Sequence, residues 1–160
     1  MIMRVENNTK WIIFIIISIV SILIGVSIPN NPNPHVSTNK LDINVWLKSV
    51  KNNEKSIITI ESNVPDNTEG IVTLEKDDIN YRVSSPVKFK DGIARTNEFM
   101  LRGGNLPSGE YTMRFKSTLD IVQPVEVQNI IGKNYSNVQS KYIDESVMGR
   151  RILFTKKINI

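Results

Sequence analysis

Two adjacent acidic pairs, Asp77 with Asp78 and Asp144 with Glu145, are the densest groups of chemically competent side chains in the sequence. Acid–base catalysis needs groups that converge in space and shift one another's pKa. The other acids fall in turn-like stretches, beside basic residues or on the polar phase of alternating segments. An acidic pair can lend oxygen ligands to calcium, but a dedicated loop repeats its ligands at fixed spacing, and neither pair does so. The chain has one histidine, His35, and no cysteine. That composition removes a thiol nucleophile, a lipid-bearing cysteine, a cysteine metal cluster and a histidine-rich metal site. No serine lies in a Gly-x-Ser-x-Gly elbow. A Ser–Lys pair assembled by folding stays open, since its members need not be neighbours in sequence.

The glycine-rich stretch 101–109, LRGGNLPSG, is the remaining candidate for ligand chemistry. A phosphate cradle places its glycines between a strand and a helix, normally with a following Lys and Ser or Thr. Here Gly109 leads into Glu110 and a further strand pattern, so a turn is expected. The sequence therefore assigns no catalytic, cofactor-binding or metal-binding residue.

The elements that would position such chemistry begin with residues 11–28, WIIFIIISIVSILIGVSI. The run carries no formal charge. As a helix it would satisfy its own backbone and span about 27 Å, close to a hydrocarbon core of about 30 Å. A membrane-spanning helix is the expectation. The alternative is a cleaved signal peptide, but such h-regions usually run about 7–15 residues and end in a small-residue cleavage pattern. Residues 1–10 carry Arg4 and Lys10 against Glu6, and no basic residue follows the run before Lys40. This bias puts the N-terminus in the cytoplasm and the remainder outside. Residues 29–39, PNNPNPHVSTN, oppose helix and sheet and read as an extracytoplasmic linker, with His35 a solvated linker residue.

From residue 40 the apolar period becomes two. Leu41, Ile43, Val45 and Leu47 alternate with polar neighbours, although Trp46 falls on the polar phase and is expected to pack beneath a loop, the alternative being a ligand or partner surface. Ile58 and Ile60 mark a second strand. Val72 and Leu74, then Ile79, Tyr81 and Val83, suggest a hairpin across Asp77 and Asp78. Val87 and Phe89 precede Asp91 and Gly92, a type I′ pair that predicts a hairpin returning over 93–99. Tyr111, Met113 and Phe115 form another inward phase, with the Tyr111 hydroxyl expected on a loop carbonyl. Pro124 and Gly132 bracket a short helix over 124–131. The last segment alternates through Ile152, Phe154, Ile158 and Ile160, interrupted by Lys156 as an edge strand would be.

The segments NLPSGEYTMRF, QPVEVQNIIGKNYSNVQ and GRRILFTKKINI resemble small exported or membrane-anchored proteins of low-GC Gram-positive bacteria and their prophages. The Pro107, Gly109, Tyr111 spacing is similar to that of bacterial immunoglobulin-like sandwich modules. That resemblance brings no catalytic residues with it.

The expectation is an all-β protein with one N-terminal transmembrane helix, and an immunoglobulin-like β-sandwich with a short helical insert over 40–160. Seven or eight short strands need two packed sheets to bury their apolar faces, with a small β-barrel as the alternative. Charge is +4 and interspersed, which does not suggest nucleic acid. The functional expectation is a non-catalytic, single-pass interaction module of the cell membrane. Its partner would be a membrane protein, a cell-wall component or a phage-related component, met through 101–109 or 124–138. The alternatives are an envelope-modifying enzyme and a regulatory or structural protein acting through its transmembrane helix.

Overall fold

The computed structural model describes residues 40–51 and 56–160. The expected anchor at 11–28, the linker at 29–39 and the head at 1–10 lie outside the described residues. Among the described residues no helix is long and apolar enough to cross a membrane.

The domain is mostly β. Its strands are β1 (Leu41–Asp42), β2 (Val45–Lys51), β3 (Ile57–Ser62), β4 (Glu69–Lys76), β5 (Tyr81–Lys88), β6 (Ile93–Arg95), β7 (Glu110–Ser117), β8 (Val138–Gln139), β9 (Ile143–Ser146) and β10 (Gly149–Asn159). The single α-helix, α1, spans Val125–Ile131. One antiparallel sheet has the order β5-β4-β7-β10-β9, a second has β2-β3-β6, and β1 pairs in parallel with β8. Both larger sheets are open, so the barrel closure held as the alternative does not form among the described residues.

The two-residue alternation is what builds the core. Val72 lies opposite Phe115, which in turn lies opposite Phe154, and Leu74 lies opposite Met113. These side chains are buried and belong to one apolar cluster with Val45, Ile58 and Ile60 of the other sheet. Phe89 meets Phe115 edge to face at 5.5 Å, a geometry that suits the ring quadrupoles. Gly70 lets this packing close, because a Cβ there would lie 2.4 Å from the Phe115 ring and 2.8 Å from the Lys116 carbonyl oxygen.

Several local expectations change in the folded chain. The strand expected from residue 40 splits: β1 pairs with β8, and β2 starts afresh at Val45 against Ser62. Trp46 is 51% exposed rather than packed under a loop. The β4–β5 hairpin forms, but a 3₁₀ turn over Asp77–Ile79 and a left-handed Asn80 connect it. Ile79 therefore sits exposed in the turn, outside the strand phase expected for it. Asp91 and Gly92 do adopt positive φ, at 52° and 73°, and Lys90 and Ile93 exchange backbone hydrogen bonds of 3.0 Å. The turn returns the chain beside β5, where the Asn97 N–H donates to Ser85 Oγ at 2.8 Å, but no ladder forms between the two strands. It passes the chain to the other sheet, where β6 pairs with β3. Turn chemistry is local, whereas the choice of partner strand is tertiary.

Lys156 does occupy an edge position. β9 covers β10 over Gly149 to Ile152, whereas β7 pairs with it from Leu153 to Asn159. The other side of that second stretch has no strand partner among the described residues.

Candidate functional site

The two segments expected to make contacts sit at opposite ends of the domain. Gly109 exchanges backbone hydrogen bonds with Ile160, at 2.8 and 3.0 Å, and faces Lys76 at the end of β4. Gln123, just before α1, instead bonds Glu69 at the start of β4. Seven residues of strand separate these points, about 23 Å at about 3.3 Å per residue.

At the Gly109 end, Tyr111 is buried and its hydroxyl donates to the Pro107 carbonyl at 2.8 Å. The expected loop-carbonyl partner is therefore present. The LRGGNLPSG stretch contains a tight turn at Arg102 and Gly103, with φ of 51° and 80°, closed by reciprocal Leu101–Gly104 bonds of 3.0 and 2.9 Å.

The other end is built from the β7–β10 insert, 118–148, which carries α1, β8 and β9. The expected helix over 124–131 forms as α1, with Pro124 as its N-cap and Gly132 at φ 72° after its end. Val127 and Ile131 face the core, whereas Val125 and Ile130 are exposed. The insert is held by a buried polar network. The Gln123 amide oxygen accepts from the Glu69 N–H at 2.8 Å. Its nitrogen donates to the Glu69 carbonyl at 2.9 Å and to the Tyr135 hydroxyl at 3.1 Å. Tyr135 places that hydroxyl 2.7 Å from the Thr118 carbonyl and 2.9 Å from the Ser117 hydroxyl. The Ser117 oxygen also accepts the Ile152 N–H at 2.9 Å, where the β7–β10 ladder ends. Each polar group of the Gln123 side chain is thus used, as burial requires.

Burial holds the Tyr135 hydroxyl above its ordinary pKa. Its bonds to Ser117 and Gln123 act against that shift, and the Asp120 charge adds to it. Burial likewise raises Tyr81 and Tyr111. Tyr135 has φ 55° and follows Asn134 at φ 52°. A bulky residue in the left-handed region is strained by about 1–3 kcal/mol and persists where its surroundings over-determine it. Those surroundings include Asn134, whose N–H donates to Asp120 Oδ2 at 2.7 Å and whose side-chain oxygen accepts from the Arg150 N–H at 2.7 Å.

The Asp120–Asn134–Arg150 bridge also brings two exposed apolar segments together. Ile121 and Val122 follow Asp120, and Val147 and Met148 form the β9–β10 tip two residues before Arg150. A Cβ at Gly149 would lie 3.6 Å from Leu119 Cδ2, which puts that tip beside the start of the 3₁₀ turn Asp120–Val122. Ile121 is 74% exposed, Met148 is 68% exposed and Val147 is fully exposed. Together with Val122, Val125 and Ile130 they give the insert six exposed large apolar residues. Sequence reading marked 124–138 but missed Ile121, Val122, Val147 and Met148. The adjacent apolar pairs Ile121-Val122 and Val147-Met148, each in a turn-like stretch, were the available signal.

The acidic pairs lie apart from one another, and three of their four carboxylates pair with cations. Asp78 pairs with Lys76 at 3.1 Å, Glu145 with Arg150 at 3.1 Å and Asp144 with Arg151 at 3.6 Å. Among the described residues no three acids or histidines gather in a metal-binding arrangement. His35 lies outside the described residues. A shallow depression of about 470 Å³ on the β4–β5 face is lined by Glu69, Ile71, Pro86, Lys88 and Arg95. Its Glu69 and Lys88 are paired at 3.4 Å. No family model, curated protein or solved structure matches the chain.

Proposed function

We propose that the protein is a membrane-anchored, extracytoplasmic interaction module, and that its contact surface is the apolar end of the β7–β10 insert. The observation that carries this reading is the combination of rigidity and exposure there. A satisfied buried network around Gln123 and Tyr135 fixes the insert, yet six large apolar side chains on it face outward. Apolar patches of this kind mark contact sites, and connecting segments on a rigid scaffold commonly carry function.

The scaffold reads as an immunoglobulin-like sandwich. Strand orders β2-β3-β6 and β5-β4-β7-β10 have the layout of two antiparallel sheets linked by crossovers from sheet to sheet. The Tyr111 hydroxyl on Pro107, four residues upstream at the start of β7, has the form of a tyrosine corner. The 18-residue uncharged run and the Arg4 and Lys10 bias support a single-pass anchor with the domain outside.

Photo-crosslinking in the native membrane tests the contact surface. A photoreactive residue at Val147 or Ile121 should give a reproducible adduct, and one at Ser84, on the outer face of β5, should not. Equal adduct yield at all three positions, or none at the insert, would reject the module reading.

A further inference from the structure

We propose that the ridge formed by Ile121, Val122, Val125, Val147 and Met148 is a lipid-contacting surface that dips into the headgroup boundary of a bilayer. The inference rests on the preceding reading of residues 11–28 as an anchor and of the insert as a contact surface, and it names the partner of that surface.

The point where the chain joins the domain is the first argument. The Leu41 N–H donates to the Asn137 carbonyl at 2.7 Å, and Leu41 pairs with Val138, so the chain enters through the insert itself. The Asn137 side chain also bonds the Ile130 carbonyl, on the exposed end of α1. Between the apolar run and Lys40 lie the 11 residues 29–39. Eleven residues of any conformation reach at most about 40 Å. The insert is thus the part of the domain that the shortest stretch of chain joins to the apolar run. The Gly109–Ile160 end lies about 23 Å farther along β4.

The chemistry of the ridge is the second argument. Its side chains are aliphatic or thioether. Protein-binding hot spots instead favour Trp, Tyr and Arg. Arg150 and Arg151, which follow the Val147–Met148 tip in sequence, are paired with Glu145 and Asp144. Glu126, beside Val125, and Lys133, beside the Asn134 bridge, are exposed at the margin of the ridge, as polar groups flanking an apolar interfacial surface would be.

The cysteine-free sequence allows a direct test with the full chain in phosphatidylcholine vesicles. An environment-sensitive fluorophore would be placed singly through Val147→Cys, Ile121→Cys, Arg102→Cys or Val20→Cys. Lipids brominated along their acyl chains then act as quenchers. Quenching is expected at 20, 121 and 147 and not at 102, with 121 and 147 about 5–10 Å into the headgroup boundary. High salt should leave the pattern unchanged. Quenching at 20 without quenching at 121 and 147 would overturn the lipid contact while leaving the anchor intact. Absence of quenching at 20 would remove the anchor reading and the proposal with it. Equal quenching at 102 and 147 would overturn the assigned surface. Disulfide dimers of unlabelled Val147→Cys under oxidant, with no quenching of the labelled protein, would give the surface to a second copy and also overturn the proposal.

Discussion

Tyr135 concentrates several costs in one residue. It is fully buried, left-handed at φ 55° and carries a hydroxyl that must find partners away from water. Gln123, Ser117 and the Thr118 carbonyl supply them. Tyr135→Phe should leave the Gln123 N–H and the Thr118 carbonyl short of a partner and destabilise the domain by about 1–3 kcal/mol in urea unfolding. The same residue should shape the alkaline limit. Its folded pKa lies above the unfolded value because of burial, so its proton is held more tightly in the folded state. That contribution is complete below the unfolded value of about 10 and is lost as pH rises through the folded value. Stability should therefore fall above about pH 10, and less steeply in Tyr135→Phe, as followed by urea midpoints across that range. Tyr81 and Tyr111, also raised by burial, should preserve part of the slope in the variant.

At the scale of elements, the insert depends on one side chain acting as a strand would. The Gln123 amide pairs with both backbone groups of Glu69 and docks the insert onto the start of β4. Gln123→Ala should thus raise hydrogen exchange selectively in 119–139, while β3, β4 and β7 keep their protection. Uniform loss across both sheets would assign Gln123 a role in global stability instead. Much of this element was legible in sequence. Pro124 and Gly132 set the ends of α1 through local backbone chemistry, and Tyr111 followed from its position at a strand start. The two-residue phase of β4, β7 and β10 likewise identified their buried side chains. Less legible was anything decided by contacts distant in sequence. The Asp91 and Gly92 turn was recognisable, but its passage to β3 depends on β6 finding a partner 34 residues upstream, as in Ile60 with Ala94. Trp46 broke the pattern of its strand because it is exposed, and alternation alone does not separate an exposed aromatic ring from one under a loop. The apolar tip at Val147 and Met148 was hidden for a related reason. A two-residue apolar step inside a turn carries no periodicity, and its closeness to Ile121 depends on the Asn134 bridge.

For the whole molecule, the ends of the domain have different characters. The chain enters beside β8, and Ile160 lies at the far end against Gly109. Six of the exposed large apolar residues lie on the insert and include the most exposed of them, whereas the far end carries Ile79 and Met100 beside the polar or small Arg102 and Gly103 turn. This polarity gives the proposed module a direction: the insert toward lipid, and the LRGGNLPSG end outward. The most direct test is maleimide labelling of single-cysteine variants in intact cells with a membrane-impermeant reagent. Fast labelling of Arg102→Cys is expected, with slow labelling of Val147→Cys that becomes fast when the membrane is dissolved in detergent. Protection of Arg102→Cys in intact cells, or equal labelling rates at 102 and 147 before detergent, would contradict it.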